Sequence, residues 1–199
     1  MSRRCFALAA SGVLLVCSIG CGGDVGGGLR AEATIKPPVR AAALRPIYGP
    51  ALAELGLVLT ARNGLIDRSD GGYRNSAEGT HLALYVEPVD ERTTPDYVDG
   101  IVSVTKVFLP DVFERWPGLE SFDVCQEPPP SVDDSSEPEP ITQIEVTREQ
   151  ATGIDWSTVT LADLVSAAEE KPPRVSLHVS DAVARSPEFR APSPRSSED

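Results

Sequence analysis

Short apolar runs, separated by glycine, proline, asparagine and serine, alternate with polar segments through the middle of the chain. Runs of this kind that are rich in β-branched and aromatic residues predict β-strands. Five segments qualify: 57–66, 80–87, 121–126, 141–147 and 174–179. The turn residues between the first two runs, Ser69 to Gly72 among them, predict that these two strands form a hairpin.

Two further segments have the spacing of an amphipathic α-helix. The first begins with Thr94 as its N-cap, followed by Pro95 in the first turn and Asp96 near the positive end of the helix dipole. Its apolar positions repeat at helical spacing: Tyr97, Ile101, Val104 and Phe108. The second helix is predicted over 160–170, where a threonine and an aspartate form a variant of the capping box.

The predicted order of elements is β-β-α-β-β-α-β. Hairpins mixed with helical crossovers are typical of the α+β class, here a mostly antiparallel sheet of about five strands with two main helices on one face. We expect this single domain to span 47–185, because about 140 residues suffice for a core of their own. Within it, the acidic and proline-rich segment 127–140 is predicted to be a disordered loop. Residues 186–199 are predicted to be a disordered tail.

The composition narrows the range of expected partners. The 199 residues include 18 prolines and 16 glycines without a Gly-X-Y period, which excludes a collagen. The 30 acidic residues outnumber the 18 basic ones and give a net charge of −12, so nucleic acid is not an expected partner. The charge is unevenly spread, since the chain from Ile47 onward carries 12 basic and 28 acidic side chains.

The N-terminus has the pattern of an export signal. Arg3 and Arg4 precede an apolar stretch that falls short of the roughly 20 residues of a membrane-spanning helix. At its end, Ser18-Ile19-Gly20-Cys21 resembles the lipobox of bacterial lipoproteins, although Ser18 stands where that family usually has a bulky aliphatic residue. The resemblance implies a signal peptide at 1–20 and a diacylglyceryl group on Cys21.

The same resemblance implies where the mature protein resides. It implies an extracytoplasmic protein that is held on the lipid bilayer through Cys21, in the bacterial cell membrane or the outer membrane. Glycines and prolines in 21–46 predict a flexible linker between this anchor and the domain. Cys5 and Cys17 would leave with the leader, so Cys125 would remain as the one unmodified cysteine.

Candidate reactive side chains are few. Cys125 is open to two interpretations: a nucleophile with His81 or His178 as its base, or an inert small side chain in a strand, which its acidic neighbours favour. The two histidines are chemically suited to zinc together with carboxylates, but two partly buried structural histidines are the simpler interpretation. No cofactor is expected.

The segment 67–78 resembles an EF-hand calcium loop in the spacing of its oxygen ligands. Asp67, Ser69 and Asn75 occupy loop positions 1, 3 and 9, and Glu78 occupies position 12. Gly71 departs from the pattern at position 5, and the flanking segments are predicted strands where an EF-hand has helices. A hairpin closed by glycine is therefore the alternative to a calcium site.

The sequence contains no nucleophile elbow, Walker loop, HExxH or CxxC motif. It therefore favours a non-enzymatic domain that binds an unknown envelope protein or ligand. Two alternatives stay open. One is a small envelope hydrolase that uses carboxylates, with Asp155 beside Trp156 as a candidate glycan-facing pair, and the other is a calcium-stabilised envelope module.

Overall fold

The computed structural model describes residues 35–129 and 138–190. The predicted signal peptide, Cys21, most of the predicted linker, residues 130–137 of the predicted acidic loop and the end of the predicted tail lie outside the described residues. Within the described ranges, no helix has both the length and the apolar composition that crossing a membrane requires.

A seven-stranded sheet forms the centre of the described part of the chain. Its strands are β1 (Leu57–Leu59), β2 (Gly64–Asp67), β3 (Arg74–Asn75), β4 (His81–Pro88), β5 (Ser121–Gln126), β6 (Thr142–Thr147) and β7 (Ser176–Val179). The helical elements are a 3₁₀ turn (Ala41–Leu44), α1 (Arg45–Glu54), α2 (Thr94–Phe108), α3 (Val112–Arg115), α4 (Arg148–Ala151), α5 (Leu161–Glu169), α6 (Asp181–Arg185) and α7 (Pro187–Arg190). The predicted α+β class is confirmed, with more strands and more helices than the sequence predicts, among them α1, which at ten residues is slightly longer than the predicted helix α5.

The sheet is mixed but mostly antiparallel. The strand order is β3-β2-β4-β5-β6-β7, and β1 also pairs with β4. All of these pairings are antiparallel except that between β4 and β5. A parallel pair requires a long crossover, and α2 lies in the connection between these two strands.

The run 57–66, predicted as one strand, forms the two short strands β1 and β2. Both pair antiparallel with β4, with Leu57 opposite Pro88 and Gly64 opposite Ala83. These registers leave residues 60–63 opposite only residues 84–85, so the chain bulges between the two strands. Asn63 has a φ of 53° in this bulge, which interrupts the extended backbone. The prediction of a single strand is wrong for this reason.

The two predicted main helices are confirmed, with one shifted cap. The apolar positions of α2 are buried as their spacing predicts: Tyr97, Ile101, Val104 and Phe108. Thr94 lies inside this helix, and the N-cap is Thr93, whose backbone N–H donates to Asp96 Oδ2 at 2.7 Å. The predicted capping box of α5 is present, since the N–H of Thr160 donates to Asp163 Oδ2 at 2.8 Å.

The hydrophobic core lies between the helices and one face of the sheet. Phe108 of α2 is fully buried, and its ring centroid lies 4.6 Å from that of Tyr48 and 5.5 Å from that of Phe122. The strands contribute alternate positions to this cluster, such as Leu82 and Leu84 of β4. No described residue at the intervening strand positions belongs to it. The opposite face of the sheet therefore lies outside the hydrophobic core.

The predicted domain boundaries are too narrow at both ends. Ala41 and Leu44 are fully buried, and the N–H of Ala41 donates to Asn63 O at 3.2 Å, so the linker predicted over 21–46 ends before Ala41. At the other end, α7 follows residue 185 and Phe189 packs against the core, so the tail predicted from residue 186 begins too early. Both ends of the domain are ordered by a few buried apolar side chains, which a shift in composition along the chain does not reveal.

Candidate functional site

The face of the sheet opposite the hydrophobic core carries a network of polar and charged side chains. We call it the polar face. Its central positions, contributed by β4, β5 and β6, are His81, Tyr85, Ser121, Asp123, Cys125, Gln143 and Glu145. The register brings these side chains together, since His81 lies opposite Ser121, and Ala83 lies opposite Asp123 in the neighbouring strand. Alternation along the strands then places all of them on the same side.

Asp123 is the centre of the polar face and is fully buried. Its Oδ2 accepts hydrogen bonds from the Tyr73 hydroxyl at 3.3 Å and from Gln143 Nε2 at 2.8 Å, and Arg68 Nη2 lies 3.9 Å away. Its Oδ1 has no hydrogen-bond partner among the described residues, and His81 Nε2 of the neighbouring strand lies 3.6 Å from it. A buried carboxylate oxygen without a donor is costly, so this atom needs an explanation.

His81 connects Asp123 to Ser121. Its exposed fraction is 2%, its Nδ1 lies 2.8 Å from Ser121 Oγ, and its Nε2 lies 3.4 Å from the Tyr73 hydroxyl. A carboxylate only accepts hydrogen bonds, so the neighbouring Asp123 favours the tautomer with hydrogen on Nε2. Nδ1 is then an acceptor for the Ser121 hydroxyl.

His178 does not take part in this cluster. It lies on β7, opposite Gln143 of β6, and is exposed. The interpretation of both histidines as partly buried therefore fits neither side chain, since His178 is exposed and His81 is buried. Within residues 35–129 and 138–190, no three His, Cys, Asp or Glu side chains are grouped closely enough to hold a metal ion.

Tyr73 and Arg68 lie over the buried carboxylate. The Arg68 guanidinium lies 5.1 Å from the centre of the Tyr73 ring, and its Nη1 donates to Glu145 Oε1 at 2.7 Å. Burial and the negative charge of Asp123 raise the pKa of the Tyr73 hydroxyl, which therefore stays protonated as a donor. Tyr73 is nevertheless 45% exposed, so one edge of the cluster faces solvent.

A second stack of similar composition lies further along β4. The Arg62 guanidinium lies 4.5 Å from the centre of the Tyr85 ring and forms an ion pair with Glu127. Glu127 is 2% exposed, so this first residue of the predicted disordered loop is in fact packed. Burial, with Cys125 and Asp123 nearby, raises the pKa of Tyr85 to about 12.

Cys125 is fully buried beneath these side chains. Burial is the main cause that raises the pKa of its thiol, and the charges of Asp123 and Glu127 add to the effect. A nucleophilic cysteine needs thiolate character and access, and this environment opposes both. The structure therefore favours the interpretation of Cys125 as an inert small side chain.

The residues of the predicted calcium loop lie on β2, β3 and the turns beside them. Asp67 Oδ1 accepts a hydrogen bond from the Ser69 N–H at 2.9 Å, which lowers the pKa of the carboxyl. Asn75 Nδ2 donates to the carbonyl oxygen of Asn63, and the backbone oxygen of Glu78 accepts from Lys36 Nζ. These contacts hold a strand–turn–strand, the shape that the hairpin alternative predicts. The calcium site itself stays a prediction.

Asp155 and Trp156 do not form a glycan platform. Trp156 is 6% exposed, and its Nε1 donates to Ala151 O at 3.1 Å. Asp155 Oδ1 accepts from both the N–H and the hydroxyl of Ser157. The tryptophan is thus a core residue, and the aspartate stabilises a turn at the edge of a cavity of about 240 Å³.

A cavity of about 400 Å³ lies where β1, the segment 90–92 and the start of α2 meet. Its lining combines apolar residues with four carboxylates: Asp90, Glu91, Asp96 and Asp99. Asp96 is already engaged in the cap of α2, and the Arg92 side chain crosses the cavity to bind Leu55 O. The described lining includes no histidine, so this cavity does not bring an acid together with an imidazole base.

Comparison with known protein families, curated proteins and solved structures finds no match for this chain. The fold and the polar face define its class: an α+β domain with helices on one face of a mixed sheet and a buried polar network on the other. The sequence search for motifs missed Asp123, Ser121, Arg68 and Tyr73. Alternation of Ser, Asp and Cys in 121–126 was the one available signal that the strand has a polar side.

Proposed function

We propose that this protein is a bacterial lipoprotein of the cell envelope whose domain binds a partner or ligand outside the cytoplasm. The support for the anchor is the sequence Ser18-Ile19-Gly20-Cys21 at the end of an apolar leader. One acyl chain holds a protein only marginally on a membrane, whereas the two chains of a diacylglyceryl group, at about 0.8 kcal/mol per buried methylene, give stable attachment.

Metabolic labelling with a tagged fatty acid tests the anchor. In a bacterial host, wild-type protein is expected to incorporate the label and to fractionate with membranes. Cys21→Ala is expected to lose both properties, because no other cysteine follows a small residue at the end of the leader. Cys17→Ala is the matched control and is expected to behave as wild type. Equal labelling of wild type and Cys21→Ala would refute the anchor.

The observation that carries the binding role is the polar face. Its outer layer contains Arg62, Arg68, Tyr73 and Glu145, all partly exposed and held in place by stacking and ion pairs. Arginine and tyrosine are among the residue types enriched at binding hot spots, and a fixed side chain loses little conformational entropy on binding. The other face of the sheet, by contrast, is covered by helices and packed in the hydrophobic core.

Site-specific photo-crosslinking in cells tests this role. A photoreactive amino acid at Tyr73 places the probe on the polar face, and the same amino acid at Glu54, an exposed position of α1, is the matched control. We expect a discrete crosslinked species from position 73 and none from position 54. Identical crosslinking from both positions, or none from either, would contradict binding through the polar face.

A further inference from the structure

We propose that Ser121, His81 and Asp123 form a nucleophilic site for acyl transfer, with carboxylic esters as the substrate class. This inference goes beyond the binding role, because the three side chains lie in a row at one end of the polar face and have the relationships that an activated serine requires. Ser121 is the nucleophile, His81 its general base, and Asp123 the residue that positions and stabilises the imidazole.

The contacts of His81 allow the hydroxyl proton of Ser121 to pass to the ring nitrogen Nδ1. Ser121 Oγ lies 2.8 Å from His81 Nδ1, within the range of an O–H···N hydrogen bond, and His81 Nε2 faces Asp123 Oδ1 at 3.6 Å. With hydrogen on Nε2, the lone pair of Nδ1 is directed at the serine proton. The distance to the carboxylate is longer than in a formed hydrogen bond, and such contacts often shorten when a catalytic site is occupied.

The unpartnered oxygen of Asp123 is the second, independent observation. Oδ2 is fixed by two donors, Tyr73 and Gln143, whereas Oδ1 has none among the described residues. An oriented carboxylate with a free lone pair beside Nε2 gains a strong hydrogen bond once the imidazole takes up a proton. The cost of burying this oxygen is then offset when charge develops on His81, as electrostatic preorganisation requires.

The exposed fraction of the side chains increases from Asp123 through His81 to Ser121, which is the order that nucleophilic catalysis requires. Asp123 is fully buried and His81 is 2% exposed, whereas Ser121, the first residue of β5, is partly exposed. A buried acid and base are shielded from water, which strengthens their interaction. Ser121, at the start of its strand, is therefore the member of the row that lies nearest to solvent.

The reaction balances without a cofactor. Ser121 Oγ bonds to the ester carbonyl carbon while its proton passes to His81 Nδ1; the bond from that carbon to the alkoxy oxygen then breaks, and the alcohol leaves with the proton. Water attacks the resulting acyl-serine, gives one proton to Nδ1, and the carbon–Oγ bond breaks as Ser121 regains that proton. The net reaction converts an ester and water into an acid and an alcohol.

A fluorophosphonate probe tests the nucleophile directly, since it phosphonylates activated serines and releases fluoride. Full-length protein purified in detergent is incubated with the probe, and the modified residue is identified by peptide mass spectrometry. We expect one modification, at Ser121, which Ser121→Ala abolishes. Ser176→Ala is the matched control, because Ser176 is a partly exposed serine on the same face of the sheet, opposite Glu145. Wild-type protein without modification at Ser121, or with equal modification at Ser176, would overturn the proposal.

The role of Asp123 has a test of its own. In Asp123→Asn, the amide oxygen is expected to face Tyr73 and Gln143, which donate, so the amide N–H₂ faces His81 Nε2. This arrangement favours hydrogen on Nδ1, which no longer accepts the proton of Ser121. The labelling rate should fall about 100-fold or more, the scale of general-base assistance, with the circular dichroism spectrum unchanged. An unaltered rate would remove Asp123 from the mechanism.

Discussion

Gly100 of α2 provides the sharpest test of how the helix packs on the sheet. A Cβ at this position would overlap Gln126 Oε1 and would lie 3.0 Å from Gln126 Cδ. Gln126 has little freedom to move away, because it is 2% exposed and its Nε2 donates to Tyr97 O at 3.1 Å and to Thr142 Oγ1 at 2.6 Å. We therefore expect Gly100→Ala to destabilise the protein, although alanine is the better helix former.

The magnitude follows from opposing terms. Alanine in place of glycine inside a helix contributes up to about 1 kcal/mol. Displacing Gln126 breaks two buried hydrogen bonds, at about 1 kcal/mol each. It also leaves their acceptors, Tyr97 O and Thr142 Oγ1, without this donor, at a further cost of about 1–3 kcal/mol. The net loss is about 2–4 kcal/mol, which overlaps and slightly exceeds the roughly 1–3 kcal/mol typical of overpacked cores. For a chain of this size, each kcal/mol lowers the melting temperature by roughly 2–4 °C.

Urea unfolding followed by circular dichroism measures this difference, with two controls. Gly49→Ala in α1 introduces a Cβ with no atom within 4 Å, and its effect should stay within about 1 kcal/mol, since Pro50 offsets the gain in helix propensity. In a Gln126→Ala background the overlap is gone, so Gly100→Ala should become neutral or stabilising. Equal destabilisation by Gly100→Ala in both backgrounds would refute the proposed contact.

Three further predictions concern other parts of the molecule. The Arg148 guanidinium donates to four backbone carbonyls, those of Phe113, Trp116, Pro117 and Leu119. Arg148→Met should therefore lower the unfolding free energy by about 2–4 kcal/mol in a urea titration. Arg148→Lys should recover only part of this loss, because a single ammonium cannot reach all four carbonyls together. The pKa of Tyr85 is raised to about 12 in the folded protein, so the unfolded chain releases this proton at a lower pH than the folded chain does. The unfolding free energy should therefore decrease as the pH rises from about 10 to 12. Tyr85→Phe should flatten that part of the pH–stability curve. Millimolar calcium should leave the melting temperature unchanged, since Asp67 Oδ1 is already engaged by the Ser69 N–H, and a rise that Glu78→Gln abolishes would instead establish the calcium site.

The sequence predicts those parts of the fold in which each residue's neighbours along the chain decide the outcome. The apolar spacing of α2 and the capping box of α5 are local, and both are found where the pattern places them. The prediction of one strand over 57–66 is wrong because the interruption at Asn63 depends on how the chain pairs with β4. The predicted start of the domain at residue 47 is too late for a similar reason, since Ala41 and Leu44 are ordered by a core formed from distant segments.

The polar face could not be predicted from motifs, because its members are distant in sequence. His81 and Ser121 are 40 residues apart, and Tyr73 and Asp123 are 50 apart. Parallel pairing of β4 with β5 makes His81 and Ser121 neighbours. The turn after β2 brings Tyr73 over Asp123. No spacing rule along the chain contains this information.

By itself, the sequence determined the α+β class, the places of the two helices α2 and α5 and the acidic character of the domain, and it supplies the whole case for a lipid anchor at Cys21. These properties follow from composition and short-range periodicity. The tertiary structure alone decided which strand positions face the helices and which polar side chains meet. Strand register is fixed by long-range pairing and burial, and a shift of one residue would exchange the two faces of a strand. The row Ser121, His81 and Asp123 therefore exists only in the folded chain.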